Sequence, residues 1–221
     1  MYYLSEKIIF PPVEYADEDG VLAIGGDLSS ERLLLAYKSG IFPWYSEDEP
    51  IIWWAPNPRF VLYTDKLKVS KSMRSLLNKN TFEVTMNRAF NEVISHCKTI
   101  YRNDQEGTWI DEEMKSAYAN LHQQGWVHSV ETWKDGVLVG GLYGVCIGKC
   151  FFGESMFAKE SNASKVAFIK LVQFLKDKGF ELIDCQVHTP HLESLGAEHI
   201  PMETFQAYLE KCGSEMLEIF M

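Results

Sequence analysis

The spacing of apolar residues changes character part-way along the chain. In the first half, helical spacing predicts four helices. The first starts at Ser29 or Ser30, runs through Glu31-Arg-Leu-Leu-Leu-Ala-Tyr-Lys38 and stops at Gly40. A second fits 70–78 with Ser70 as N-cap. A third fits 87–99, with Asn87 as cap and Phe90, Val93, Ile94 and Cys97 on one face. A fourth fits 111–124, capped by Asp111 and closed by Gly125. Around the first helix, residues 11–60 are rich in Pro, Gly and Trp and read as turns and loops.

Beyond residue 126 the period becomes two. Val127 to Trp133 alternates, Asp135-Gly136 is a hairpin turn, and Val137 to Ile147 is a long apolar strand. Cys150 to Phe157 reads as its return strand through a Gly148-Lys149 turn. An apolar helix follows from Ala163 to Lys178, capped by Ser161 or Asn162 and stopped by Gly179. A buried strand over 181–187 and a helix near 203–212 complete the pattern. Three antiparallel strands, a helix and a further strand make an α+β sheet domain. The expected organisation is a small N-terminal domain over 1–65 packed on a mixed-sheet domain over 66–221, with the helices of 66–102 near the junction.

Composition adds exclusions. The 221 residues are 46% hydrophobic and 24% charged, the balance of a folded globular protein rather than a disordered one. No apolar run approaches the ~18 residues that span a bilayer, and Glu6 and Lys7 interrupt the start where a signal peptide would be apolar. A cytoplasmic location is the simplest expectation. Five cysteines without a Cys-x-x-Cys pair suggest neither a disulfide framework nor a zinc site. His188 and His191 are three apart, but no metal is expected. Gly25-Gly26-Asp27 and Gly140-Gly141 form no phosphate-binding fingerprint, so no nucleotide cofactor is expected either.

The net charge of −10 argues against a general nucleic-acid coat. Its distribution is uneven. Residues 1–65 carry a net −7 and residues 103–221 a net −9, whereas residues 66–102 carry +6. Lys66, Lys68, Lys71, Arg74, Lys79, Arg88, Lys98 and Arg102 make this island, which suits a polyanion docking at one place or, equally, a solvated helical face.

Polar residues inside apolar strands are informative because burying them needs a reason. Glu154 interrupts Phe151-Phe-Gly-Glu-Ser-Met-Phe157. Asp184 and Gln186 interrupt Leu182-Ile-Asp-Cys-Gln-Val187 and, two apart on a strand, share a face. If the two strands are neighbours, two carboxylates and an amide converge on one cleft, suited either to orienting an amine or to fixing register as a buried network. Trp44, Trp53, Trp54 and Trp109 lie in loop-like sequence, where tryptophan stacks on nucleobases or plugs a small core.

Taken together these motifs resemble the bacterial leucyl/phenylalanyl-tRNA–protein transferase family. The matching stretches are Gly20-Val-Leu-Ala-Ile-Gly-Gly-Asp-Leu-Ser29, Gly40-Ile-Phe-Pro-Trp44, Trp53-Trp-Ala-Pro-Asn-Pro-Arg59, Glu106-Gly-Thr-Trp-Ile110 and Gly140-Gly-Leu-Tyr-Gly-Val145. Gly153-Glu-Ser-Met-Phe157, Asn162-Ala-Ser-Lys165, Leu182-Ile-Asp-Cys-Gln-Val187 and Ser194-Leu-Gly-Ala197 extend the match over about 180 residues. The resemblance implies an acyl-CoA N-acyltransferase-like sheet domain. It also implies transfer of Leu, Phe or Met from aminoacyl-tRNA to proteins beginning with Arg or Lys, which marks them for N-end-rule degradation. It implies Trp44 and Trp109 as the stack for the terminal adenosine. Leu142, Phe151, Met156, Phe168, Leu171 and Ile183 are implied around the transferred side chain, and Glu154, Asp184 and Gln186 as the polar catalytic centre. Of these, Gln186 is expected to orient the amine, polarised by Asp184, and Glu154 to help hold the cationic acceptor.

The chain departs from the family's pattern at His188-Thr-Pro190, where relatives often carry a hydrophobic residue followed by Asn and Asp. Contact with the tRNA body falls mainly to Lys66, Lys68, Lys71, Arg74, Lys79 and Arg88. Two rival readings exist. An acyl-CoA N-acetyltransferase needs a glycine-bearing pyrophosphate loop, and Ala158-Lys-Glu-Ser-Asn-Ala163 has none. A non-catalytic tRNA-binding adaptor would use the basic island and tryptophans but has no need of Glu154, Asp184 and Gln186 together.

Overall fold

A computed structural model describes residues 2–46, 48–99 and 111–220. The N-terminal part is built from β1 (Tyr2–Leu4), β2 (Val21–Gly25), α1 (Ser30–Lys38), β3 (Phe42–Pro43) and β4 (Ile52–Trp54). Its strands form a sheet in the order β1-β2-β4-β3, with β1 parallel to β2 and the other pairs antiparallel. Residues 11–60 are therefore not only turns around a helix. Strands of two to five residues are too short to show alternation, and pairing partners distant in sequence complete them.

The chain continues through β5 (Arg59–Tyr63), α2 (Lys71–Asn78), β6 (Glu83–Met86), α3 (Phe90–Thr99), α4 (Glu112–Gln123), β7 (Val127–Lys134), β8 (Val137–Ile147) and β9 (Cys150–Ala158). It ends with α5 (Ala163–Asp177), β10 (Leu182–Gln186), α6 (Pro190–Ser194), β11 (Glu198–Ile200) and α7 (Met202–Cys212). Seven strands form one mixed sheet in the order β11-β5-β10-β9-β8-β7-β6. The α+β class and the mixed sheet expected from the sequence are both present. This sheet also takes β5 from the N-terminal side of residue 65 and sets it between β10 and β11.

Local signals account for several boundaries. Ser29, Ser70 and Asp111 cap α1, α2 and α4, each accepting from a backbone N–H three residues on. Asn87 does not cap a helix. It takes a left-handed conformation, accepts from Ser129 N and meets His128 Nδ1 at 3.0 Å, so β6 ends before it and α3 starts at Phe90. The buried Glu131 takes over at that helix start, accepting from Ala89 N at 3.3 Å.

The large sheet is covered on both faces. Leu142 and Cys146 of β8 join α5 in one core, while Tyr143, Val145 and Ile147 join α3, α4 and the N-terminal sheet in another. This is the alternation a strand imposes. Gly144 keeps the middle of β8 bare where a Cβ would meet Phe152 O at 2.2 Å and the Phe151 ring at 2.5 Å. Phe151 can therefore lie across the strand.

Candidate active site

The site lies where two parallel strands part. β9 and β10 pair through Leu182–Cys150, Ile183–Phe151 and Asp184–Phe152, and beyond that point a cavity of about 420 Å³ opens between them. On its other edge β10 shifts register against β5 between Asp184 and Gln186. Gln186 takes a left-handed φ of +63°, a conformation uncommon for a residue with a side chain. Irregularities of this kind re-aim a side chain out of the sheet plane.

Leu142, Phe151, Met156, Phe168, Leu171 and Ile183 all line this cavity, together with Glu154, Asp184 and Gln186. One wall is apolar, drawn from β8, β9, β10 and α5. The other is polar. Gln186 Nε2 donates to Glu154 Oε1 at 2.8 Å, and Tyr118 Oη of α4 donates to Glu154 Oε2 at 2.9 Å. Behind Tyr118 stands Tyr37 of α1, hydroxyl against hydroxyl. Burial dominates the electrostatics of Glu154 and pushes its carboxyl up to about 7, against the opposing hydrogen bonds of the two tyrosines and Gln186.

Asp184 has different surroundings. Arg59 of β5 grips it from behind with two bonds, Nε to Oδ1 at 2.9 Å and Nη2 to Oδ2 at 2.6 Å, and neither side chain is exposed. Asp184 Oδ1 also accepts from the backbone N–H of Gln186 at 2.9 Å, holding the turned residue in place. The guanidinium lies between the rings of Phe42 (4.6 Å) and Phe205 (4.9 Å), so the N-terminal sheet and α7 both hold it.

The sequence alone does not single out Arg59, Tyr37 or Tyr118 as site residues. Arg59 carries the same signal as Glu154, a charge in the apolar strand Arg59-Phe-Val-Leu-Tyr63, but that strand sits at the end of a stretch read as loop. The tyrosines sit on apolar helix faces and look like ordinary core.

The remaining residues fall elsewhere. Trp44 is half-buried, its ring 5.4 Å from that of Trp54, and does not line the cavity. Trp109 and Arg102 lie outside the described residues. Lys68, Lys71, Arg74 and Lys79 are exposed on and beside α2 and, among the described residues, have no ion-pair partner. Lys66 pairs with Glu198, Arg88 with Glu83 at 3.3 Å and Lys98 with Glu112 at 2.7 Å. Arg74 shares a polar groove with Lys170 and Gln173 of α5. In the departure at 188–190, His188 turns to Glu193 and packs by Phe60, while Thr189 caps α6 and Pro190 begins it. Thr189 and His191 line the cavity.

The chain matches the family described as leucyl/phenylalanyl-tRNA protein transferase over residues 61–210, and that family's N-terminal domain over residues 26–57. It belongs to this family. The leucyl/phenylalanyl-tRNA–protein transferase of Flavobacterium johnsoniae is 60% identical over 210 residues, covering 95% of this chain and 99% of that protein. The one from Syntrophus aciditrophicus is 61% identical over 208 residues, covering 94% and 87%. Among solved structures the likeness is loose. An aminoglycoside acetyltransferase from an uncultured soil metagenomic sample aligns with a TM-score of 0.40 at 13% identity, covering 63% of this chain and 95% of that one. The family is one of aminoacyltransferases, working on aminoacyl-tRNA and protein. Among the described residues no helix is long and apolar enough to cross a membrane, and no cluster of three or more His, Cys, Asp or Glu is placed to hold a metal ion.

Proposed function

We propose that this transferase works in the cytoplasm and moves Leu, Phe or Met from aminoacyl-tRNA to the α-amine of proteins beginning with Arg or Lys, marking them for N-end-rule degradation. The observation that carries this reading is a single cavity with an apolar wall and a carboxamide–carboxylate wall. Its 420 Å³ lies within the roughly 300–1,000 Å³ of small-ligand sites. Leu142, Phe151, Met156, Phe168, Leu171 and Ile183 take the transferred side chain. Such a pocket separates substrates by only about 1–3 kcal/mol per methylene, which fits a class such as Leu, Phe and Met rather than one amino acid.

The reaction is aminolysis of an ester. Gln186 donates its N–H to Glu154, so its carbonyl oxygen is turned to accept from the incoming amine. Asp184, tied to Arg59, holds the Gln186 backbone from behind. Fixing amine and ester in one geometry can supply about 7–11 kcal/mol of the barrier. Trp44 and Trp109 are assigned to the terminal adenosine, and Lys66, Lys68, Lys71, Arg74, Lys79 and Arg88 to the tRNA backbone. No cofactor is invoked. A division into an N-terminal unit and a catalytic unit suits this arrangement if β5 is counted with the catalytic sheet.

The test is transfer of labelled leucine or phenylalanine from charged tRNA to a peptide beginning with Arg, beside a Gly-initiated peptide and acetyl-CoA, with tRNA binding measured at 50 and 200 mM salt. Transfer to the Arg peptide alone, with affinity falling at least about tenfold over that salt range, is expected. Binding without transfer would favour the adaptor, and acetylation would mean a different acyl donor.

A further inference from the structure

Resting on that reading, we propose that Glu154 is the group that takes the proton from the acceptor's α-ammonium, with Tyr118 and Tyr37 as the residues that position it. The surroundings of the cavity exclude the alternatives. Both oxygens of Asp184 are held by Arg59, and one of them also by the Gln186 backbone. A carboxamide oxygen, as on Gln186, accepts a hydrogen bond but is a poor acceptor of a proton. Burial drives the hydroxyls of Tyr37 and Tyr118 and the thiol of Cys185 above their ordinary values, so they remain protonated. Tyr143 of β8 closes the ring of neighbours, its ring edge-on to Tyr118 at 5.7 Å. His191 of α6 lines the same cavity, and burial holds its imidazole below the ordinary value. Among the described residues its Nε2 has no hydrogen-bond partner, whereas Glu154 is the acid or base bonded to the Gln186 carboxamide that would hold the amine.

Glu154 has the required placement. It faces the cavity and touches Gln186 at 2.8 Å, so an amine held by the Gln186 carbonyl comes within reach of the carboxylate directly or through one water. Tyr118 Oη holds Oε2 and Gln186 Nε2 meets Oε1, both neutral donors where Asp184 has a cation. Oε1, on the Gln186 side, is therefore the oxygen nearest an amine held there, and Tyr37 keeps Tyr118 turned toward Oε2. A carboxyl brought up to about 7 also lies close to the ~7.7–8.0 of an α-amine, so the transfer between them is nearly balanced.

The protons balance. The ammonium gives one to Glu154, and the neutral amine attacks the ester carbonyl carbon through its lone pair. As the tetrahedral adduct collapses, the bond from that carbon to the ribose oxygen breaks. Glu154 gives its proton to the leaving oxygen and takes the second proton from the new amide nitrogen. That proton then passes to solvent. The products are an amide and a tRNA 3′-terminal hydroxyl.

The experiment is single-turnover transfer to the Arg peptide from pH 6 to 9, with the wild type, Glu154→Gln and Tyr118→Phe. The wild type is expected to lose rate below an acid limb near 7. Glu154→Gln should be at least about 100-fold slower at pH 7. Its rate should follow the peptide's own amine and rise about six- to tenfold from pH 7 to 9 while the wild type about doubles, so the deficit shrinks about three- to fivefold. Tyr118→Phe removes a bond that favours the charged carboxylate, so its acid limb should move to higher pH. A deficit in Glu154→Gln that is constant across the range overturns the proposal. So does an acid limb in Tyr118→Phe that stays in place, and this arm decides if Glu154→Gln is inactive throughout. No transfer by the wild type would instead overturn the reading beneath it.

Discussion

Two carboxylates on neighbouring strands, Asp184 of β10 and Glu154 of β9, sit in surroundings of opposite kind. Asp184 lines the cavity with a fully buried cation behind it, against both oxygens, and a backbone N–H besides. Among the described residues, Glu154 at the cavity wall has neutral donors alone, two tyrosines in series and a carboxamide. A cation bonded to both oxygens holds a carboxylate in one place, whereas a buried carboxyl met by neutral donors can gain and lose its proton. The first arrangement builds a scaffold and the second leaves a group free for chemistry.

The largest expected effect breaks the scaffold. Arg59→Met leaves Asp184 buried without its cation and should lower stability by about 3–5 kcal/mol in urea unfolding at pH 7. Arg59→Met with Asp184→Leu exchanges the whole pair for apolar groups and should recover most of that loss. Transfer should stay abolished in the double variant, because nothing then holds the Gln186 backbone. A loss below about 1 kcal/mol in the single variant would mean the guanidinium is not what stabilises Asp184.

The same contrast separates what the sequence reveals from what it hides. The bounds of β8, Val137–Ile147, follow from an unbroken apolar run between two turns, and Ser70 and Asp111 cap their helices as their side-chain chemistry suggests. Glu154, Asp184 and Gln186 stand out because a polar residue in an apolar strand needs a partner. The partner itself is not legible. Arg59 precedes Asp184 by 125 residues and joins it only because β5 inserts between β10 and β11. The rings that hold the guanidinium come from β3 and α7, the first a two-residue strand in a stretch rich in Pro and Gly. Tyr37 and Tyr118 become distinctive only when α1 packs on α4 and brings their hydroxyls together.

A smaller effect of opposite sign sharpens the comparison at Glu154. Folding raises this carboxyl from 4.5 to about 7, so the folded state binds its proton more tightly than the unfolded chain. Its contribution is fully present below 4.5 and is lost as pH rises through 7. Glu154→Gln has no charge to bury, and the Gln186 carboxamide can turn over to meet it. At pH 8 the variant should be more stable than the wild type by up to about 3 kcal/mol, with the difference gone by pH 4.5. Chemical denaturation at the two pH values measures it. Equal stability at pH 8 would place Glu154 with Asp184, as a carboxylate whose charge the fold compensates.

The smallest effect leaves both carboxylates untouched. Thr189 Oγ1 accepts from Leu192 N at 3.2 Å and caps α6, which carries His191 and Leu192 to the cavity. Thr189→Ala should cost about 1 kcal/mol of stability, the ordinary value of an N-cap. It loosens one end of the cavity without altering the charge or burial of Glu154. The acceptor peptide's KM should therefore rise a few-fold while the acid limb of the pH–rate profile stays where it is. If that limb moves with Thr189→Ala, the protonation of Glu154 depends on the packing of α6 as well as on Tyr118. The separation between a fixed wall and a working wall would then be less sharp than the hydrogen bonds indicate.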